Sequence, residues 1–117
     1  MMNQRIYHLT SQDEWNQAES VGKYRPKAFD EEGFIHCSYT EQLVKVANSI
    51  FIGKQDLVLL HIDRSKLKCK VIDENLSRGA ELFAHIYGLL PVEAVVAVTR
   101  FPCHTDGTFT LPAELKT

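Results

Sequence analysis

Cysteine is scarce in this chain and never paired: Cys37, Cys69 and Cys103 are odd in number and form no C-x-x-C. That excludes a disulfide framework and a cysteine-based zinc ribbon, and leaves reduced thiols. Glycines are few and scattered. Neither G-x-G-x-x-G nor G-x-x-x-x-G-K occurs, so a phosphate-cradling glycine loop is excluded, and the dinucleotide fold built on one with it. No apolar run exceeds "LVLL" or "AVVAV", far short of a bilayer crossing, and "MMNQRIYHLT" lacks the apolar core of a signal peptide. A cytoplasmic location is the expectation. Charge of one sign is not concentrated anywhere; with a formal net charge of -2 and both signs mixed along the length, no basic stripe exists to hold DNA or a membrane surface. Small-molecule or protein partners fit better.

What is present is an ordinary globular composition. The 117 residues, 44% hydrophobic and 24% charged, specify a single domain over 1–117 without linker, repeat or low-complexity tract. Arg5 to Leu9 reads as a first strand. Ser11 and Glu14 then make the S-x-x-E of a capping box, opening a helix to about Val21 with Trp15 and Ala18 facing inward. Gly22 to Glu32 is the longest irregular segment and reads as a loop. Gly33 to Cys37 is a second strand, and Thr40 caps a helix in which Leu43, Val46, Ala47, Ile50 and Phe51 fall at helical spacing. The nearly all-apolar Asp56 to Asp63 fits a central strand buried on both faces. Further strands are expected in "LKCKVID", after a turn at Arg64 to Lys66, in Phe83 to Tyr87, and, late and central, in "EAVVAVTRF". Gly88 to Pro91 and "TDGTFT" supply turns. Strands outnumber helices, the helices lie mainly in the first half, and no strand–helix alternation is seen. The class is therefore α+β with small mixed or antiparallel sheets.

Three short stretches each carry one histidine: "RIYHLT", "GFIHCS" and "FAHIYG". Period-two geometry puts Ile6 with His8, Phe34 and His36 with Ser38, and Phe83 and His85 with Tyr87, each set on one strand face. If those faces line one cleft, His8, His36, Ser38, His85 and Tyr87 converge there. His61 shares its face with Leu57 and Leu59 and reads as structural; His104 reads as a loop residue. A metal site is not expected, because no H-x-H, H-x-x-x-H or H-E-x-x-H presets two ligands on one element. A nucleophile is disfavoured too. Cys37 points away from His36, and Ser38 has no G-x-S-x-G turn. Tyr7, Tyr24, Phe34 and Tyr87 are the aromatic residues available to stack on a base or a nicotinamide ring.

The order "IYHLT", Trp15, "EGFIHCS", Glu74, "FAHIYGLLPVEAVV" resembles the family called domain of unknown function 952 over nearly the whole chain. Ala84 stands where the third motif of that family has proline, with His85, Tyr87 and Gly88 in register. The family is grouped by remote similarity with the ADP-ribosyltransferase superfamily. The resemblance implies an ADP-ribosyltransferase-like fold of two small sheets around a cleft for NAD. It further implies His8 at the ribose, His36 and Ser38 beside the nicotinamide, and Glu74 or His85, near Tyr87, polarising the ribose where the superfamily carries a late glutamate. The RNA phosphotransferase branch is not matched, because Arg5, Arg25, Arg64, Arg78 and Arg100 are dispersed.

Two functions follow as alternatives. One is an NAD-dependent enzyme that cleaves or transfers at the nicotinamide glycosidic bond, onto an acceptor the sequence does not identify. The other is a non-catalytic module that binds a nucleotide or a peptide in the same histidine-lined cleft. A blander reading keeps the histidines as packing devices bonded across the cleft.

Overall fold

Three small antiparallel sheets carry the fold in the computed structural model, which describes residues 5–75 and 81–115. Arg78 lies outside the described residues. In chain order the elements are β1 (Arg5–Ser11), α1 (Gln12–Val21), β2 (Lys23–Tyr24), α2 (Phe29–Glu32), β3 (Ile35–Cys37), α3 (Leu43–Ile50), β4 (Leu57–Asp63), β5 (Lys70–Glu74), β6 (Phe83–Tyr87), β7 (Leu90–Pro91) and β8 (Val95–Arg100). The class is mixed α and β, with antiparallel pairing throughout the described sheets.

The first sheet has the order β1-β4-β8. Its middle strand, β4, is the apolar run, and Leu59, Leu60 and Ile62 are fully buried. Each contributes roughly 1.5–3 kcal/mol relative to exposure. Both faces of β4 are covered because the sheet divides two cores. Ile6, Val58, Leu60 and Ile62 pack with Trp15 and Ala18 of α1 and with Ile35 and Ile86 of the other sheet. Tyr7, Leu9, Leu57 and Leu59 pack with Leu43 and Ala47 of α3 and with Phe101 and Phe109. The late valine-rich strand is a correction to the sequence reading: β8 is an edge, not a central strand, and Val96 and Val98 are exposed. β-Branched residues report the pleated conformation and not a strand's rank in the sheet.

Further corrections lie in the helical half. The expected loop from Gly22 to Glu32 contains β2, paired with β7, and the short α2, which ends at Gly33 in the left-handed conformation with φ 83°. A strand pair this brief offers no period to detect. Tyr39, not Thr40, caps a 3-10 turn over Thr40–Gln42 that leads into α3, and Ile50 on α3 is exposed. Of the capping box on α1, half forms. Ser11 Oγ accepts from the Glu14 backbone N–H at 3.1 Å, while the Glu14 carboxylate turns instead to Thr10.

The second large sheet has the order β3-β6-β5. A backbone bridge ties it to the first, where Tyr7 of β1 and Ser38 exchange both backbone hydrogen bonds at 2.8 Å. No helix among the described residues is long and apolar enough to cross a membrane.

Candidate functional site

The Tyr7–Ser38 junction decides what the histidines meet. Because Ser38 directs its backbone groups toward β1, the residue two before it does the same, and the His36 carbonyl faces His8. His8 Nδ1 lies 2.6 Å from that oxygen, and since a carbonyl only accepts, Nδ1 carries the proton. His8 Nε2 lies 2.8 Å from Tyr24 Oη. Tyr24 in turn reaches Thr10 Oγ1 at 3.0 Å, and Thr10 reaches Glu14 Oε1 at 2.6 Å. Both ring nitrogens of His8 are thus engaged within the protein. Burial lowers its pKa to about 4, against the raising effect of the His36 carbonyl. Burial likewise raises the Tyr24 phenol, so it stays neutral.

Around this junction lie two cavities. One, about 360 Å³, is walled by His8, His36 and Ser38 together with Tyr7, Glu32 and Phe51. The other, about 370 Å³, has Thr10, Glu14, Lys27, Lys54 and Asp56 in its walls. They share His8, Leu9, Ala28 and Phe51 in their walls and so adjoin along β1, as two lobes of a groove.

Glu74, His85 and Tyr87 assemble elsewhere, on the outer face of the second sheet. Strand pairing sets His36 directly opposite His85 and Glu74 opposite Phe83. His85 Nδ1 donates to Glu74 Oε2 at 2.8 Å, and the Tyr87 hydroxyl donates to the same oxygen. The Tyr87 and His85 bonds hold the Glu74 carboxyl below its usual range, and the same contact raises the Tyr87 phenol. Phe34 stacks on the His85 ring with centroids 4.1 Å apart. Beneath it His85 Nε2 is buried and meets no hydrogen-bond partner among the described residues. The His36 ring stands 5.0 Å from that of His85, and burial, then the neighbouring His85, lower its pKa.

The residues singled out in the sequence therefore fall into two groups that meet at His36. His8, His36 and Ser38 wall one lobe of the groove; Glu74, His85 and Tyr87 form a carboxylate-centred cluster that belongs to the wall of neither lobe. Thr10, Glu14 and Tyr24 join the site through contacts that residue order does not signal: the S-x-x-E spacing assigns Glu14 to a cap, and no pattern marks a hydrogen bond between His8 and a tyrosine 16 residues away. Of the aromatics available for stacking, Tyr7, Tyr24 and Phe34 are buried, Tyr7 edge-on to His61 and Phe34 against His85. His61 is buried and bonded to Thr99 at 2.7 Å, whereas His104 sits in an exposed turn. Cys37 lies in the core, away from His36, with its thiol pushed up by burial. Among the described residues no group of three or more His, Cys, Asp or Glu is arranged to hold a metal ion.

The family model described as "Protein of unknown function (DUF952)" matches residues 9–98. Among solved structures the chain is similar to protein CC0527 from Caulobacter crescentus. The X-ray crystal structure of that protein is 32% identical, with coverage of 97% of this chain and 99% of that one and a TM-score of 0.86. Its solution NMR structure is 32% identical over 96% and 97%, with a TM-score of 0.82. No curated protein matches the chain.

Proposed function

The chain belongs to the family described as protein of unknown function (DUF952), and since that description fixes no activity, we propose from the site itself that the protein binds NAD or a related nucleotide in the groove beside β1. The observation that carries the reading is the pair of adjoining lobes, about 360 and 370 Å³, that share His8 in their walls. Each lies in the size range of small-ligand sites, and together they suit a two-part ligand. The lobe at Ser38 and His36 is lined by Tyr7, Val46, Ile50 and Phe51, an apolar slot with a few polar groups for a planar ring. The other lobe carries Lys27 and Lys54, two cations that would pair with a diphosphate, beside the carboxylates of Glu14 and Asp56. His8 acts here as a fixed wall, because its nitrogens are held by His36 and Tyr24.

A second reading, scission at the nicotinamide glycosidic bond, is favoured by one feature: the Glu74–His85 hydrogen bond of 2.8 Å beside His36. Scission requires the nicotinamide ribose to extend from the groove past His36 to Glu74, whose carboxylate would there stabilise the positive charge that develops as nicotinamide leaves. Calorimetric titration with NAD tests binding, and following the same sample for free nicotinamide separates module from enzyme. Saturable binding weakened by Ser38→Val and by Lys54→Ala supports the groove. Nicotinamide release that disappears in Glu74→Gln, with binding intact, supports the enzyme. Absence of any binding overturns both.

A further inference from the structure

The chain of contacts from the His36 carbonyl to Glu14 has four links: His36 to His8, His8 to Tyr24, Tyr24 to Thr10, and Thr10 to Glu14. Every link needs one proton between its two heavy atoms. A neutral His8, the Tyr24 hydroxyl, the Thr10 hydroxyl and an ionised Glu14 supply one, one, one and none. The chain is one proton short.

We infer that His8, Tyr24, Thr10 and Glu14 form a proton relay under the groove, which takes up a single proton shared between its two ends. With that proton at the histidine end, His8 Nε2–H donates to Tyr24 Oη, Tyr24 O–H to Thr10 Oγ1, and Thr10 O–H to Glu14 Oε1. With it at the other end, Glu14 as a carboxylic acid donates to Thr10 Oγ1, Thr10 O–H to Tyr24 Oη, and Tyr24 O–H to His8 Nε2. Three protons each move one place, no heavy atom moves, and positive charge leaves the imidazole as negative charge leaves the carboxylate. In both forms Nδ1–H stays on the His36 carbonyl, so the contact between β1 and β3 persists. In the proton-poor form one link is open and two oxygen or nitrogen lone pairs face each other at hydrogen-bond distance.

Burial is what makes the count binding. Thr10 and Tyr24 are 4% and 3% exposed, so water has little access to repair an open link. Both ends of the relay, His8 and Glu14, line the groove, and a proton enters or leaves there. The charged and titratable groups facing the relay are His36 and Cys37 on β3, Glu32 on α2, Lys23 on β2, Arg25 and Lys27 after it, and Lys54 and Asp56 before β4. The His36 charge opposes protonation of His8 and Glu14 favours it. Tyr24, Thr10 and Glu14 are thereby positioning residues for His8, a role independent of which ligand the groove takes.

The test is an NMR pH titration of the ligand-free protein that reads the His8 ring nitrogens and the Glu14 side-chain carboxyl carbon together. One shared proton gives both ends a common midpoint. Tyr24→Phe removes the middle hydroxyl and keeps the ring, and Thr10→Val interrupts the next link; in either, His8 and Glu14 should titrate with separate midpoints. Glu14→Gln supplies an amide donor for Thr10 without a titrating proton, so His8 should protonate at lower pH than in the wild type. Separate midpoints in the wild-type protein overturn the relay, as does a common midpoint that survives both Tyr24→Phe and Thr10→Val.

Discussion

Replacing His8 with Gln tests how much the fold depends on a neutral imidazole at the junction of the two sheets. In the folded chain burial holds His8 at about 4, against 6.5 for an unperturbed histidine. Between those values the unfolded chain carries the proton and the folded one does not, so protons favour unfolding and stability falls with falling pH. The loss is complete only below about pH 4, and from the 1.36 kcal/mol per pK unit it amounts to about 3 kcal/mol. At neutral pH His8→Gln keeps an N–H for the His36 carbonyl but disturbs the contact with Tyr24, a loss of about 1 kcal/mol. Urea unfolding of both proteins across the range from neutral to about pH 4 should show the variant less stable at the neutral end. The gap should close and then reverse as the pH falls, because the variant has one fewer group that protonates on unfolding. His36 and His61 are also lowered by burial, but both proteins carry them and their effects cancel in the difference. Parallel stability–pH curves for the two proteins would refute the reasoning.

Gly88 faces Cys69 so closely that a Cβ there would lie 2.8 Å from the Cys69 Cβ. Gly88→Ala should therefore cost roughly 1–3 kcal/mol in denaturant unfolding, with part of it regained in Gly88→Ala combined with Cys69→Gly. Glu74→Gln replaces the carboxylate that raises the Tyr87 phenol with a neutral amide, so Tyr87 should ionise at lower pH, read as phenolate absorbance against a Tyr87→Phe control. An unchanged Tyr87 titration would show that the phenol is not coupled to Glu74.

Much of this architecture is legible in residue order. The alternation in "RIYHLT" places His8 and Thr10 on one face, and the unbroken apolar run in "LVLLHID" marks β4 as the strand buried on both sides. The three histidine motifs do gather, since β3 pairs with β6 and touches β1. What the residues do not disclose is tertiary choice. Whether β8 is an edge depends on how many strands the sheet has, and whether Glu14 completes a cap or reaches back to Thr10 depends on Tyr24 arriving from a separate segment. The same limit explains why one expected cleft becomes a groove plus a neighbouring cluster. Period two fixes the face a side chain takes, while the tilt of one sheet against another decides which faces share a space.

The measurement that bears most directly on the proposed function is a two-dimensional NMR titration of the protein with NAD, following the backbone signals of Ser38 and Lys54 and the ring of His36. Binding along the groove predicts saturable shifts with one common affinity at Ser38, His36 and Lys54, which represent both lobes. Signals that remain unmoved in both lobes up to millimolar NAD would contradict it.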